Sequence, residues 1–455
     1  MIEPPWWLVI LPLAATPVVY VTRRWRFGAY LAAVVSLFTG LLAVSLPPSS
    51  AMHIGGRTFV LDPLTQYGLA IFFTASAVLY LASSRLRQGR YFVPLGLLVS
   101  GLFAIAGMSR HLAITGLVMT LAAIVSVPIV QGEQSSTIRA AWRFVMLMFV
   151  ALPFFLLAAW RVDMYRADAQ NVVYLPEAAV LVSIGLCVWL AVVPMSGWLT
   201  SVGAEAPPVA GALLLVGFPM MALITLAHLM AEATWFTWWT QAGRLLLLAG
   251  LASVVVGGVL AAVQRSVRSA MGYAAMFDLG CLLVAFAVQG PSGAVALYAG
   301  LVTRAVGLIL VGVSTSVLEA EAGEHSMSGL QGTAGKLPLA AVALLMGGIT
   351  LAGLPLAAGF PVRWLILRDL ASVDYQWVWV VALAGLGVAS VYLRAVYAML
   401  NPAAESRDTS RSRPVWAPMI LMMLMTLVTI ALGLFPGPLL RVAAHLVTLY
   451  PLPHL

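Results

Sequence analysis

Apolar stretches of about 20 residues repeat along the whole chain and are separated by short polar segments. An α-helix of about 20 residues is about 30 Å long, which matches the hydrocarbon thickness of a bilayer. We predict about fourteen membrane-spanning helices, which begin near residues 5, 28, 63, 93, 111, 139, 175, 207, 244, 269, 292, 337, 375 and 415. The pattern therefore indicates an all-α polytopic membrane protein that forms a single membrane domain over residues 1–455.

Three segments differ from this simple pattern. The sequence MHIGGRTFVLDPL, after the second predicted span, alternates apolar and polar residues and predicts a short strand or hairpin outside the membrane. Residues 438–455 are compatible with an interfacial C-terminal helix. The apolar stretch PPWWLVILPLAATPVVYV has no basic segment before it and no small-residue cleavage site, so we interpret it as the first span.

Two apolar stretches contain helix-breaking residues where a span is expected. They are VPMSGWLTSVGAEAPP at 193–208 and LAGLPLAAGFPVRW at 351–364, which carry Glu205 and Arg363. Proline removes a backbone donor, and a broken helix at membrane depth needs protein groups or a water-filled cavity to satisfy its backbone. One break alone would suggest a proline kink, but two breaks that each carry a charge favour a functional cavity in a repeat-built transporter.

The composition excludes a soluble protein, since 62% of residues are hydrophobic, 9% are charged and the mean hydropathy is +1.01. The net charge of +8 comes from arginine clusters between the spans, so we expect no nucleic acid partner. The densest clusters follow odd-numbered spans: Arg23, Arg24 and Arg26; Arg85, Arg87 and Arg90; Arg265 and Arg268; Arg407, Arg411 and Arg413. This distribution predicts that both termini lie on the non-cytoplasmic side. We expect a multi-pass protein of a prokaryotic-type inner (plasma) membrane.

Ionisable side chains inside spans are candidate functional residues, because each costs roughly 2.5–3.5 kcal/mol on insertion. The candidates for a proton or ion pathway are Glu205, Asp278, Arg304, Arg363, Arg143 and His228. Asp278 is expected to pair with an arginine such as Arg304, either as a structural ion pair or as a member of a proton relay. Arginine keeps its proton, so a relay would depend on carboxylates, histidines or water. The sequence contains no metal-ligand spacing, phosphate-binding loop or catalytic motif. We therefore expect that the chain binds no cofactor or metal and has no active site of its own.

The first break carries a family resemblance. GWLTSVGAEAPPVAGALL resembles the Trp-Leu-Pro…Glu-Ala-Pro motif of antiporter-like membrane subunits, which occur in respiratory complex I (NADH:quinone oxidoreductase), membrane hydrogenases and Mrp cation/proton antiporters. DPLTQYGLAIFF, LAAVQRSVRSAMGYAAMFDLGCLL and LPLAAVALLMGGITLAGLPLAAGFPVRWLI resemble further family segments in the same order. The resemblance implies two inverted five-helix repeats, near 111–240 and 244–400, with two discontinuous helices and a charged axis at the membrane midplane. It also implies that the partners are other membrane subunits and the lipid bilayer.

The chain departs from the family at the residues that matter most for transport. Thr120 stands where members usually have a glutamate, and Trp189 and Met220 stand where they have lysines. Three further family positions carry different ionisable residues, which are Asp278, Arg363 and Arg143. These departures suggest a degenerate first half-channel.

The function that these observations favour is an antiporter-like membrane subunit of a complex I-related, redox-driven complex that translocates protons or cations. One alternative is a non-conducting structural or coupling subunit of such a complex. Another is the membrane subunit of a two-component inorganic-carbon uptake system, which would co-purify with a soluble zinc protein.

Overall fold

The computed structural model describes residues 4–54, 56–132, 138–233, 235–236, 242–288, 291–402 and 416–450. Three parts of the sequence lie outside these ranges. They are most of the tryptophan-rich segment 234–240, the arginines Arg407, Arg411 and Arg413, and residues 451–455 of the expected C-terminal helix.

Eighteen α-helices lie in the described residues. In the N-terminal third, α1–α6 are Trp7–Val21, Arg26–Ser45, Pro63–Ser83, Phe92–Met108, Leu112–Gln131 and Ile138–Ala167. The middle third holds α7–α12, which are Tyr174–Trp189, Gly197–Glu205, Pro208–Glu232, Ala242–Ala262, Val267–Ala287 and Pro291–Ala322. The remaining helices α13–α18 are Thr333–Lys336, Pro338–Ala352, Gly359–Val373, Tyr375–Leu400, Trp416–Leu434 and Gly437–Leu449. Short 3₁₀ turns occur at Pro4–Trp6 and Ser328–Leu330.

The predicted spans agree closely with these helices, because each predicted start lies within two residues of the start of a helix or of its leading 3₁₀ turn. In the described ranges, 11 helices are long and apolar enough to cross a membrane, and four shorter apolar helices accompany them. The chain is thus an all-α polytopic membrane protein, while the count of fourteen spans stays a prediction.

The interior is built around α9, α11 and α12. All residues of α9 from Pro208 to Met230 are buried, and so is nearly all of α11. A helix that is apolar on every side is typical of a protein interior. By contrast, α2, α6, α16 and α17 expose rows of large apolar side chains, as helices that face lipid do.

The expected hairpin lies between α2 and α3. Strand β1 (Ser50–Ile54) pairs antiparallel with β2 (Arg57–Leu61), with Ser50 opposite Leu61. Asp62 follows the hairpin and caps α3, because its carboxylate accepts a hydrogen bond of 2.7 Å from the backbone N–H of Thr65.

Two discontinuous helices are present at the two predicted breaks. In the first, α7 ends at Trp189 and α8 begins at Gly197. In the second, α14 ends at Ala352 and α15 begins at Gly359, and Gly353 between them has a φ of +76°. A Cβ on Gly353 would also lie 2.6 Å from Nε of Arg363, so this glycine both permits the turn and leaves room for the arginine.

The first break packs against the helix that carries Asp278, because α8 lies directly against α11. A Cβ on Gly203 of α8 would lie 2.6 Å from the backbone nitrogen of Gly272 in α11. We name the two ends of the helix bundle by their residues. The hairpin face carries the β-hairpin, Arg110 and Glu232, and the arginine face carries Arg85, Arg268 and Glu319.

Candidate functional site

A buried cluster of three charged side chains lies at the second discontinuous helix. One carboxylate oxygen of Asp278 accepts a hydrogen bond of 2.9 Å from Arg304, and the other accepts one of 3.2 Å from Arg363. Arg304 is fully buried, and Asp278 and Arg363 are each 5% exposed. The expected partner of Asp278 is therefore present, and Arg363 from α15 joins it. We call these three residues the Asp278 cluster.

Backbone carbonyls supply the remaining partners of both arginines. Arg304 donates to the carbonyls of Ala275 at 2.8 Å and Leu215 at 3.1 Å, and Arg363 donates to that of Leu351 at 3.0 Å. The guanidinium of Arg363 also lies 4.9 Å from the ring centre of Phe277, within range of a cation–π interaction.

A proline and a helix end explain why two of these carbonyls are free to accept. In an α-helix the carbonyl of residue i accepts from the N–H of residue i+4, which for Leu215 is Pro219 inside α9. Proline has no N–H, so the Leu215 carbonyl lacks its usual donor. Leu351 is in the last turn of α14, which ends at Ala352, and the last carbonyls of a helix have no helical donor. A proline four residues after a carbonyl is a sequence signal for the first arrangement, although it does not identify the donor.

The Asp278 cluster carries one carboxylate and two guanidinium groups, which gives a net charge of +1. In the described parts of the chain, no second carboxylate pairs with either arginine. The Nε atoms of Arg304 and Arg363 are buried without a hydrogen-bond partner there. Burying charges is costly, so the carbonyl dipoles and the shared carboxylate are what hold the surplus cation in place.

Among the described residues, no such cluster lies at the first break. Trp189 is buried at the end of α7 and stacks on Phe155 with ring centres 3.9 Å apart. Met220 is fully buried, and the hydroxyl of Thr120 donates to the carbonyl of Gly116 in its own helix at 2.8 Å. Three positions at which the family resemblance leads us to expect titratable groups are therefore a stacked indole, a thioether and a hydroxyl bonded within its helix.

Aromatic rings from five helices fill the interior beside these residues. Their ring centres follow one another at 5.2, 4.9, 5.0 and 5.6 Å, in the order Phe72, Phe103, Phe218, Phe144 and Trp198. Such edge-to-face and tilted contacts pack apolar surface tightly. We call these five residues the aromatic block.

Glu205 lies at the C-terminal end of α8, on the arginine face. Its carboxylate accepts a hydrogen bond of 3.1 Å from the backbone N–H of Ala140 in the first turn of α6, where helix N–H groups lack an internal partner. Arg143, one turn further along α6, is exposed and has its guanidinium 3.5 Å from the hydroxyl of Ser201. Among the described residues, Glu205 forms no ion pair with Arg143 or any other cation.

Glu205 also lines a cavity of about 580 Å³ that opens on the arginine face. Arg268 and Glu319 line the same cavity and form a bidentate ion pair at 2.6 and 2.5 Å.

His228 lies near the other end of α9, in a separate polar cluster on the hairpin face. Its Nε2 is 2.9 Å from the Asp62 carboxylate, and its Nδ1 is 2.9 Å from Arg110. Arg110 bridges Asp62 and Glu232. Burial opposes ionisation of Asp62, but His228, the charge of Arg110 and the Thr65 N–H outweigh it and lower the Asp62 pKa to about 2. Sequence reasoning found His228 and missed Asp62 and Arg110, which lie in loops.

The comparisons with known proteins agree with this architecture. The family model for NADH:quinone oxidoreductase/Mrp antiporter transmembrane segments matches residues 177–389. The chain is 25% identical over 448 residues to NADH-quinone oxidoreductase subunit N of Nitrosomonas europaea, which covers 90% of this chain and 89% of that one. It is also 25% identical to subunit N 1 of Chloroherpeton thalassium, with 96% of this chain and 94% of that one covered.

Solved structures share the fold at lower sequence identity. A chain of the archaeal membrane-bound sulfane sulfur reductase aligns with a TM-score of 0.85 and 17% identity, and 97% of each chain is covered. A chain of the Mrp complex from Dietzia sp. gives 0.82 and 18%, with 98% of this chain and 96% of that one covered. A chain of respiratory complex I from Thermus thermophilus gives 0.79 and 20%, with 97% and 99% covered.

Proposed function

We propose that this chain, which belongs to the antiporter-like membrane-subunit family of complex I and Mrp antiporters, is the antiporter-like subunit of a redox-driven complex that translocates protons or other cations. The observation that carries the proposal is the Asp278 cluster. In this cluster a titratable carboxylate lies between two guanidinium groups at the second discontinuous helix, deep inside the protein. Buried ionisable groups in membrane helices are typical of ion pathways.

The roles of the three residues follow from their chemistry. Asp278 is the group that binds and releases the transported proton or cation, because the guanidinium groups keep their protons. Arg304 is a positioning residue, held by the carbonyls of Ala275 and Leu215. Arg363 is the adjustable partner, because it lies on α15 beyond the break and has the Leu351 carbonyl as a second acceptor.

A transport step then needs only a small movement of α15. When Arg363 moves away from Asp278, the carboxylate loses one of its two cations and gains affinity for a proton or cation. When Arg363 returns, like charges repel and the bound ion leaves. The net charge of +1 makes this exchange sensitive to charge changes in neighbouring subunits, since interactions in a low-dielectric interior are strong.

The first half does not conduct in this proposal. The aromatic block, Trp189 and Met220 surround a break, residues 190–196 between α7 and α8, that has no titratable side chain, and Glu205 lies at the far end of α8. The repeats near 111–240 and 244–400 would be related by inversion, with the second repeat alone active. Glu205 and Arg143 then act at the cytoplasmic entrance of the closed half, and His228 acts at the opposite surface.

The arginine distribution supports an orientation in the membrane. The arginine face would lie in the cytoplasm of a prokaryotic-type cell, and the hairpin face and both termini would lie on the non-cytoplasmic side. This orientation puts the cavity beside Glu205 on the cytoplasmic side.

A second candidate is a structural or coupling subunit without its own channel. The specific observation in its favour is the saturation of Asp278 by two arginines, which also describes a permanent ion pair that joins α11, α12 and α15. In that case the Asp278 cluster transmits conformational strain between these helices and binds no transported ion.

Affinity purification of the tagged chain from its native membranes tests the assignment to a complex. We expect other antiporter-like membrane subunits and subunits with redox centres in the purified material. A soluble zinc protein as the main partner would instead support inorganic-carbon uptake and contradict the proposal, as would a chain that purifies alone.

A further inference from the structure

The cavity of about 580 Å³ on the arginine face lies close to the Asp278 cluster. On α11, Arg268 lines the cavity, and Ala275, seven residues further along, gives its carbonyl to the cluster. On α9, Pro208 lines the cavity, and Leu215, again seven residues further along, gives its carbonyl to the cluster. Seven residues of α-helix rise by about 10 Å, so two helices give the same short distance between the open cavity and the buried charges.

One face of α11 runs from the cavity to the cluster. Its residues follow one another at spacings of three and four, and they are Arg268, Met271, Ala275 and Asp278. At 3.6 residues per turn, the four positions lie within about 80° of one another around the helix axis. Arg268 lines the cavity and Asp278 is the centre of the cluster, so Met271 is the long side chain that lies between them on this face.

The neighbours of Met271 are very small residues of α9 and α12. A Cβ on Gly211 of α9 would lie 3.3 Å from the methyl carbon of Met271, whose side chain is buried. A Cβ on Gly312 of α12 would lie 2.8 Å from the Cβ of Ala212 and 2.8 Å from the carbonyl oxygen of Pro208. The backbones are therefore in close contact, and the methionine fills the space between α11 and α9. We call Met271, Gly211, Ala212 and Gly312 the Met271 layer.

A buried hydroxyl on α12 lies at the cavity side of this layer. Thr315 is one turn from Gly312 of the layer and one turn from Glu319, which lines the cavity, so the three residues share one face of α12. Thr315 is 2% exposed, and its Oγ1 has no hydrogen-bond partner among the described residues. A buried hydroxyl without a partner is costly, so this position favours a water molecule.

We propose that Met271 is a hydrophobic gate between the arginine-face cavity and Asp278, and that this cavity is the access route of the second half on its side of the membrane. The inference rests on the proposed role of Asp278 as the group that binds the transported ion. The route follows α9, α11 and α12 and does not pass along α8, which carries Glu205.

The side chain of methionine suits a gate. It is apolar, and apolar constrictions in membrane pores close by excluding water. It is also unbranched with three rotatable bonds, so one rotamer can fill the layer and another can open it without a movement of the backbone. In this structure Met271 is packed against Gly211, and the gate is closed.

Thiol labelling of the purified intact complex with iodoacetamide, a small polar reagent, tests the gate. Ala275→Cys places a reporter thiol beyond the Met271 layer, and Ala320→Cys places one at the cavity. Residue-specific mass spectrometry separates these thiols from the native Cys187 and Cys281. We expect the cavity reporter to react at least about tenfold faster than the reporter beyond the layer, because a dry constriction excludes the reagent.

Variants at the gate separate a gating role from a packing role. Met271→Ala and Met271→Val shorten the side chain, and Met271→Leu keeps its size. The matched control is Met276→Ala, since Met276 is equally buried on α11 and lies about 140° away around the helix. We expect Met271→Ala to speed labelling of Ala275→Cys about tenfold, and Met271→Val to speed it less. Met271→Leu and Met276→Ala should leave it unchanged, and Met271→Val keeps the test decisive if Met271→Ala does not assemble.

Two results would overturn the inference. Equal acceleration by Met271→Ala and Met276→Ala would indicate general loosening of the packing. Equal labelling of the two reporters with Met271 in place would show that the layer does not exclude water.

Ion translocation per electron in the same complexes separates this inference from the proposed function. Faster labelling with Met271→Ala, in a complex whose translocation tolerates Asp278→Asn/Arg363→Gln, would support the gate and contradict the proposed function. Unchanged labelling, in a complex that loses translocation in that double variant, would contradict the gate alone.

Discussion

The two discontinuous helices share a backbone design and differ in what surrounds them. At the second break, a carboxylate and two guanidinium groups are buried together. At the first break, a stacked Trp189 and the aromatic block occupy the interior. The break in a helix therefore does not by itself make an ion pathway. The two breaks differ in the side chains beside them. At the second break charged side chains occupy the space and bind the free carbonyls, and at the first break aromatic rings fill the space.

The two halves are also coupled at this point. The carbonyl of Leu215, which Pro219 leaves without its helical donor, belongs to α9 and accepts from Arg304 of α12. Irregular backbone of the first half thus supports the charged cluster of the second. If the first half-channel is degenerate, as we propose, this contact gives a reason for the first half to keep its helix-breaking residues.

The largest effect on stability is expected at the second break, where the Asp278 cluster lies. Asp278→Asn leaves two buried guanidinium groups without a counter-ion, which costs about 3–5 kcal/mol of stability for a broken buried pair. Thermal unfolding of the purified chain in detergent measures the loss. Asp163→Asn is the control, because Asp163 is exposed, its partners are Arg166 and His111, and such exposed pairs contribute about 1 kcal/mol or less. Equal effects of the two variants would contradict the account.

At the first break, where Trp189 and the aromatic block fill the interior, we expect a similar loss of stability without a loss of transport. Trp189→Ala removes the ring that stacks on Phe155 and leaves a large cavity, at a cost of about 3–5 kcal/mol. Trp189→Phe keeps part of the stacking and should cost less. Ion translocation by the assembled complex should not change in the phenylalanine variant. Reduced translocation in a stable Trp189→Phe protein would show that the first half conducts.

Pro219→Ala tests the link between the two regions. Alanine restores an N–H that competes with Arg304 for the Leu215 carbonyl, and a hydrogen bond to a charged group is worth about 1.5–3 kcal/mol. Removing a proline from a helix interior usually stabilises the helix, so Pro153→Ala in α6 is the matched control. We expect lower stability for the Pro219 variant and equal or higher stability for the Pro153 variant. Stabilisation by both changes would refute the proposed role of Pro219.

The polar cluster on the hairpin face offers a test by pH. The folded pKa of Asp62 is about 2, below the ordinary value of 3.8, so its stabilising contribution is present above pH of about 4 and is lost as the pH falls through about 2. Asp62→Asn should therefore lower stability by about 2 kcal/mol at pH 7. The difference between wild type and variant should disappear near pH of about 2. A difference that does not vary with pH would contradict this assignment.

The smallest effect is expected at Glu205. Glu205→Gln keeps an oxygen that can accept from the Ala140 N–H, so stability should change by about 0.5 kcal/mol or less. Because the first half is closed in this account, translocation should also stay unchanged. Thermal unfolding and vesicle transport measure the two quantities in parallel.

Much of the fold could be predicted from the sequence, because membrane helices must be long and apolar and their ends carry charges. The pairing of Asp278 with Arg304 could also be predicted, since a charge inside a span needs a partner. The third member, Arg363, and the carbonyl of Leu215 could not be assigned in advance. Their contacts depend on how α9, α12 and α15 pack, and these helices lie far apart in the sequence.

Two other features show the same limit. Glu205 was predicted from its place beside the prolines, but its observed partner is the start of α6, which only tertiary packing brings near. The arginine clusters at 23–26 and 85–90 were interpreted as signals of topology. Their convergence on one pocket depends on the neighbouring positions of two loops that are some 60 residues apart.

Ion translocation per electron by the intact complex in vesicles is the most direct test of the central claim. Two variants are compared. The double variant Asp278→Asn/Arg363→Gln removes one negative and one positive charge and so keeps the Asp278 cluster at +1. The second variant is Glu205→Gln. The account predicts a lower ratio for the double variant and an unchanged ratio for the Glu205 variant. An unchanged ratio in an assembled double variant, or a lower ratio for Glu205→Gln, would contradict it.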